Sequence, residues 1–222
     1  MEEKLLRSDV ILIDKPYEWT SFGVVKKVRY FGKYKKVGHA GTLDPLATGL
    51  LILCTEKKTK EIESYQAQEK EYTGSLVLGK TTPSIDLETE FDGEFPTDHI
   101  TTEKIQEVVL KLTGSIDQVP PQYSAVKVNG QRAYKAARNG ETIEIKSRIV
   151  EVKTFEVDTT DFPTVTFRVV CSKGTYIRTL VSDFGKMLGS GAYMSGLRRT
   201  RIGEFHVNDA ITVEEFVNQN PR

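Results

Sequence analysis

The chain has no net charge: 31 Lys and Arg balance 31 Asp and Glu, so composition alone gives no global pull toward polyanions. Long hydrophobic runs are missing too, and no apolar stretch approaches the ~20 residues of a membrane-spanning helix. The first residues, Met1-Glu2-Glu3-Lys4-Leu5-Leu6-Arg7-Ser8-Asp9, lack a positive n-region and an apolar core, so no signal peptide is expected. Cysteine is scarce. Cys54 and Cys171 each close an apolar run, which predicts two buried reduced thiols rather than a disulfide framework, and no Cys/His cluster has zinc spacing. Glycine is present, but no Gly-Lys-Ser/Thr follows at the spacing of a phosphate-binding loop. These absences predict a cytoplasmic protein. What remains is ordinary for a globular chain: 222 residues, 28% charged and 38% hydrophobic, enough for one large domain or two small ones with a real core.

The charges that cancel in sum are segregated in sequence. Residues 26–36 hold six basic residues, three aromatics and no acid, whereas residues 81–103 hold seven acids and no Lys or Arg. Such a chain can still turn a positive face to phosphates, although a solvated basic helix has the same composition.

The densest stretch is Gly38-His39-Ala40-Gly41-Thr42-Leu43-Asp44-Pro45-Leu46-Ala47-Thr48-Gly49. Pro45 pushes Asp44 out of the α region, and the glycines permit close approach or positive φ on either side. Leu43 and Leu46 crowd the carboxylate. A carboxylate losing water beside leucines drifts toward the neutral acid unless a cation or hydrogen-bond donors hold it charged. A functional Asp44 therefore needs a cationic partner elsewhere in the chain. Spacing alone favours a plainer role, with Asp44 as the N-cap and Pro45 as the first residue of a helix. His39 alone reads as a turn residue or spacer.

Along the rest of the chain, residues 10–13 predict a central strand. Ser21 is the expected cap of a helix burying Val24, Val25 and Val28. Residues 50–54 read as a buried strand, 57–65 as a short helix, and 71–78 as a strand ending at Gly79. Tyr72 lies near its start, where a tyrosine ordinarily packs a core edge. Residues 80–100 form an acidic, turn-rich excursion of the kind that is functional or mobile. Thr101 or Thr102 caps a helix with Ile105, Val108, Val109 and Leu112 inside and Gly114 as its stop. A strand over 123–128, an Asn129-Gly130 turn and a helix over 131–139 follow, with Arg132, Lys135 and Arg138 on one face. Strands over 142–157 and 164–171 lead to a helix over 175–188. Arg178 in its first turn opposes the helix dipole, and a buried arginine there would need a carboxylate or phosphate nearby. Residues 197–201 are basic and lead into a strand-like stretch, and Thr212 with Glu215 forms a capping box. This mix predicts an α+β fold with one extended, largely antiparallel sheet.

The 38–49 stretch resembles the signature of the TruB-type tRNA pseudouridine synthases. Three further segments resemble that family in the same order: Lys70-Glu71-Tyr72, Pro120-Pro121-Gln122-Tyr123-Ser124-Ala125-Val126-Lys127, and Cys171-Ser172-Lys173-Gly174-Thr175-Tyr176-Ile177-Arg178. The resemblance runs from about Val10 to the C-terminal region. It implies a single catalytic domain over residues 1–222, with a sheet flanked by helices and loops around an RNA-binding cleft. It also implies isomerisation of a T-loop uridine of tRNA (position 55 of tRNA) to pseudouridine, without cofactor or metal. Asp44 corresponds to the catalytic aspartate, acting at C1′ as a nucleophile or by removing the 2′ proton. Tyr72 corresponds to the tyrosine that stacks on the base and is implicated at C5, and Arg178 to the arginine paired with the aspartate. His39 matches a histidine involved in base flipping, and Leu197 an apolar pocket residue. Lys15 and Pro16 match a Lys-Pro pair supporting the active-site loop, and Tyr176 lies in the last motif among the expected RNA-binding residues. Asp86 matches an aspartate of a mobile insertion that contacts RNA, although Thr82-Pro83-Ser84-Ile85-Asp86 lacks one acidic residue common there. The implied partner is the tRNA T-arm, bound by a monomer with no obligate protein partner. Because the chain stops at Arg222, the small C-terminal RNA-binding domain of many bacterial members is expected to be missing, with weaker, salt-sensitive RNA affinity as the result.

Two other readings fit parts of the sequence. One is a non-catalytic RNA-binding or RNA-folding module on the same scaffold, against which Asp44, Tyr72 and Arg178 are all present. The other is a hydrolase using His39 and Asp44, which lacks a suitably placed nucleophilic Ser or Cys.

Overall fold

The computed structural model describes residues 9–128 and 130–221. The signal-peptide reading of residues 1–8 and Asn129 of the expected turn lie outside the described residues. Contacts divide the chain into two compact units, one built from residues before Thr73 and after Gly196, the other Thr73–Gly196. The class is α+β, and most strand pairs are antiparallel, as expected.

In the first unit, strand Val10–Lys15 pairs antiparallel with strand Thr48–Thr55, from Val10 opposite Cys54 to Lys15 opposite Gly49. Strand Ile211–Thr212 adds a parallel pair on the other edge of Val10–Lys15. Strand Val37–His39 lies antiparallel to Thr48–Thr55, and Arg198 and Arg199 of strand Ala192–Ile202 pair parallel with Thr48 and Gly49. Thr48–Thr55 is covered on both faces, so it reads as a continuous apolar run rather than an alternating one. Leu51 and Leu53 pack with Ile13 against Val24, Val25 and Val28 of helix Ser21–Phe31 and against Phe216 of helix Val213–Gln219. Leu50, Ile52 and Cys54 pack with Ala40, Ile202 and Val207. Each of the Leu, Ile, Val and Phe side chains contributes about 1.5–3 kcal/mol by leaving water. Burial pushes the Cys54 thiol up to about 11, and both cysteines are buried thiols.

Two cap assignments meet different outcomes. Thr212 and Glu215 close the capping box as expected, with Glu215 N donating to Thr212 Oγ1 at 3.1 Å and Thr212 N to Glu215 Oε2 at 2.7 Å. Ser21, in contrast, does not cap its helix. Thr20 does, accepting from Gly23 N at 2.9 Å, because the Ser21 hydroxyl is engaged with Leu43. The expected short helix over 57–65 is a 3₁₀ segment, Glu56–Glu61, running into helix Ile62–Ala67.

In the second unit, strands Gly114–Gln118, Arg148–Asp158 and Thr164–Cys171 are antiparallel neighbours, with a register shift between Val152 and Thr154. Residues 73–78 of strand Lys70–Leu78 lie beside Thr164–Cys171. Helix Thr102–Lys111, capped by Thr101, and helix Ile177–Met187 bury their expected stripes, and Phe184 meets Phe155 edge-on at 5.7 Å. The expected strand over 123–128 shrinks to Lys127–Val128, paired with Gln131–Arg132. Pro120 and Pro121 supply no donors for a ladder, and the Ser124 and Val126 carbonyls instead accept from Tyr134 N and Ala133 N at the start of helix Ala133–Arg138. The expected strand from 142 begins only at Arg148. Upstream, the Gln122 amide takes both backbone groups of Ile143, at 2.8 and 3.1 Å, in place of a neighbouring strand. The acidic excursion is folded, with a Lys80–Thr81/Gly93–Glu94 ladder and with Ser84 and Asp86 buried.

Candidate active site

The signature loop leaves strand Val37–His39 and enters strand Thr48–Thr55. The Asp44 carbonyl accepts from Ala47 N at 3.1 Å, so Asp44-Pro45 opens a tight turn and not the helix that its spacing favoured. The buried strand starts one residue after Ala47, which leaves no length for a helical turn.

Side chains from other elements pin this turn. The Ser21 hydroxyl donates to Leu43 O at 3.1 Å and accepts from Leu43 N at 2.9 Å, fixing the residue before Asp44 in both directions. Lys15, fully buried, fixes the residue after it. Its ammonium donates to Pro45 O at 3.1 Å, Pro16 O at 2.8 Å and Trp19 O at 2.6 Å. Lys15 thus reaches the Asp44 loop through the Pro45 carbonyl, and Pro16 is tied to the same ammonium. Burial lowers the Lys15 pKa to about 8, Asp44 opposes that shift, and Arg199 adds to it. Below about pH 8 the ammonium is charged and has all three donors. Above it, the charge beside Asp44 and one of the three donors are lost. Single-turnover rates are expected to be level below pH 8 and to fall above it, and Lys15→Met is expected to be slow and without that limb. A wild-type profile level to about pH 9.5 would take Lys15 out of this role.

His39 ends its strand opposite Leu53. Burial, then the Arg199 charge, lowers its pKa and favours the neutral ring. Tyr72 is buried near the start of strand Lys70–Leu78. Leu197 lies in strand Ala192–Ile202, and its carbonyl accepts from the Thr48 hydroxyl at 3.4 Å.

In the second unit, Arg178 follows Ile177 at the start of its helix, with 3% of its side chain exposed. Nη1 donates to Ser84 O at 3.0 Å, Nη2 donates to Tyr123 O at 2.7 Å, and Nε lies 3.8 Å from Asp86 Oδ2. The requirement that a buried Arg178 find a carboxylate is met within its own unit by Asp86. Asp86 is itself buried. Its Oδ1 accepts from Glu88 N at 3.0 Å, and its carbonyl accepts from the Thr82 hydroxyl at 2.6 Å and the Ser84 hydroxyl at 3.1 Å. Two of these contacts are donated by side chains of the departing segment itself, Thr82 and Ser84. Tyr176 precedes the helix. Its backbone N donates to Gln118 Oε1 at 2.7 Å, its O accepts from Gln118 Nε2 at 3.1 Å, and Arg148 covers its ring at 4.9 Å.

Sequence reasoning missed Ser21 as a loop anchor, Gln118 and Arg199. Arg199 left one signal. In a strand, Arg199 and Arg201 fall on the Leu197 side of the pleat and Arg198 on the other, so the basic run could not all face outward.

Comparison with known proteins places this geometry in a family. A model described as TruB family pseudouridylate synthase (N terminal domain) matches residues 28–177, and one described as tRNA pseudouridylate synthase B C-terminal domain matches 178–220. The tRNA pseudouridine synthase B of Flavobacterium johnsoniae is 52% identical over 96% of this chain and 96% of its own. That of Phocaeicola vulgatus is 51% identical over 94% of this chain and 91% of its own. Among solved structures, a chain of a Cbf5-Nop10-Gar1 complex is 34% identical with a TM-score of 0.72, covering 94% of this chain and 53% of that one. A chain of an H/ACA RNP bound to a substrate RNA containing 2′-deoxyuridine is 30% identical with a TM-score of 0.69, over 94% of this chain and 52% of that one. This chain spans about half the length of those solved chains and nearly the whole of the bacterial relatives. With the pinned Asp44 loop inside the first matched region and half the residues shared across the full bacterial sequences, the chain belongs to the TruB family of pseudouridylate synthases.

Proposed function

We propose that this chain isomerises a uridine in the T-loop of tRNA to pseudouridine, as a single catalytic domain over residues 1–222. The observation that carries the reading is the pinned turn. Asp44 sits between two residues whose backbones are tied to buried side chains, Ser21 and Lys15, so its carboxylate is held on a rigid support. In this reading Asp44 acts at C1′, as a nucleophile or by taking the 2′ proton. The uracil is released from C1′, turns and rejoins through C5, and the C5 proton leaves to solvent. Tyr72 offers a stacking face and a titratable oxygen. Arg178, charged at any accessible pH, holds the carboxylate ionised without competing as an acid. The target base must leave its stack, at a cost of a few kcal/mol, and stacking worth ~1–3 kcal/mol per base offsets much of it. His39 assists flipping, and Lys15, Pro16, Tyr176, Leu197 and Asp86 complete the RNA-binding set. The protein works as a cytoplasmic monomer with no obligate protein partner, cofactor or metal.

The test is tritium release from a T-arm stem-loop labelled at uracil C5, since forming the new bond frees that hydrogen. Stoichiometric release supports the reading. Tight binding without release would favour the RNA-binding module instead. Helix Ser21–Phe31 carries Lys26, Lys27 and Arg29, with Lys33, Lys35 and Lys36 just beyond it, and Lys26 and Lys27 lie over Phe22 and Phe31 at 4.8 and 5.0 Å. Five phosphate contacts from such a face would make log K fall with log salt at a slope of about −4. A slope near zero would remove the basic face from RNA binding.

A further inference from the structure

We infer that Arg199 is a positioning residue for the signature loop: it closes both ends of the loop that presents Asp44.

Three arginines lie within four residues of strand Ala192–Ile202, and two have carboxylates. Arg198 pairs with Asp14 at 2.7 Å and Arg201 with Glu69 at 2.8 Å. Arg199, 1% exposed, forms no ion pair among the described residues. Its Nε donates to Leu50 O at 2.8 Å and its Nη2 to Gly41 O at 3.1 Å. A buried cation satisfied only by carbonyls is a poor contributor to stability, and an apolar side chain would fill the site without the desolvation penalty. Its placement is explained by what it touches. At one end of the loop Gly41, with φ +103°, lies against the guanidinium, so that a Cβ there would come within 3.5 Å of Arg199 Nη1. At the other end Gly49 is paired with the Arg199 backbone itself. One residue therefore spans the base of the loop, with its main chain at Gly49 and its side chain at Gly41. Leu197, two residues earlier on the strand, receives the Thr48 hydroxyl. The same charge lowers the pKa of both His39 and Lys15, and at His39 the Gly41 backbone opposes it.

The activity arm of the test rests on the isomerase reading, whereas the spectroscopic arm does not. The chain has three histidines, so His39 is assigned in NMR spectra of the free protein by its loss in His39→Asn. In Arg199→Met the His39 ring is expected to titrate at higher pH than in wild type. In steady-state assays kcat is expected to fall about tenfold or more, with KM for the stem-loop within about threefold. Arg199→Lys keeps the charge but cannot reach both carbonyls, so His39 is expected to titrate as in wild type while kcat still falls several-fold. An unchanged His39 titration in a folded Arg199→Met, or a loss confined to KM, would overturn the inference. If Arg199→Met does not fold, Arg199→Lys decides, and an unchanged kcat rejects the inference. If wild type itself releases no tritium, the isomerase reading fails and the titration alone judges Arg199.

Discussion

Asp44→Asn is expected to abolish turnover while leaving RNA binding within a few-fold of wild type. The turn does not depend on the carboxylate. Its closing hydrogen bond uses the Asp44 carbonyl, and its anchors use the backbones of Leu43 and Pro45. Asparagine has the same shape, so the loop persists and only the charge is lost. A neutral amide can neither attack C1′ nor take the 2′ proton, which removes both routes together. The expected loss in single-turnover rate is at least about 10⁴-fold, or roughly 5.5 kcal/mol of transition-state stabilisation. Because the Asp44 charge raises the Lys15 pKa, the asparagine variant is also expected to shift Lys15 further down. That shift gives a check that the side chains remain neighbours. Tritium release near the wild-type rate would remove Asp44 from the mechanism.

Gly49→Ala is the substitution with the largest expected effect on stability. Gly49 has φ +103°, and a Cβ there would lie 2.3 Å from the Arg199 carbonyl oxygen and 2.7 Å from its nitrogen. Both obstacles are backbone in a paired strand, so no side chain can rotate away. The positive φ costs an alanine about 1–3 kcal/mol, and relieving the overlap by moving one strand costs about as much again. The midpoint of thermal unfolding is expected to drop by about 10 °C or more, with loss of activity even below it, because the displaced strands carry the loop and Leu197. A midpoint within about 2 °C of wild type would mean that the two strands are not held at this spacing. Gly41→Ala shares the φ but meets only the end of a side chain, so its expected loss is smaller.

Elements governed by local chemistry were legible in the sequence. The Thr212 cap with Glu215, the Thr101 helix with its stripe, and the doubly covered run at 50–54 all follow from periodicity and capping. Elements set by distant partners were not. Ser21 looked like a cap because the sequence cannot reveal that Leu43 claims its hydroxyl. Asp44-Pro45 looked like a helix start because the dipeptide suits a turn and a helix equally, and the strand just beyond decides between them. Residues 123–128 looked like a strand because their carbonyls' true partners, the amides of a following helix, are invisible in composition. Within the candidate site, the need for a carboxylate near a buried Arg178 could be argued from its place in the first helical turn, but the part that Asp86 plays in meeting it could not. Strand alternation hinted that the basic run could not all face outward, but not which arginine was buried, because Arg199 has the same letter as its half-buried neighbours Arg198 and Arg201.

Gln118 bears on how the molecule assembles. Helix Ile177–Met187 has no side-chain cap of its own, and the residue ahead of it is gripped on both backbone groups by an amide 58 positions earlier in the chain. The first helical turn, with Arg178 in it, is thereby tied to strand Gly114–Gln118 and through it to Arg148–Asp158. The register of that strand pair sets where the turn carrying Arg178 begins. Amide exchange at Tyr176 would report the opening of that strand pair rather than fraying of the helix.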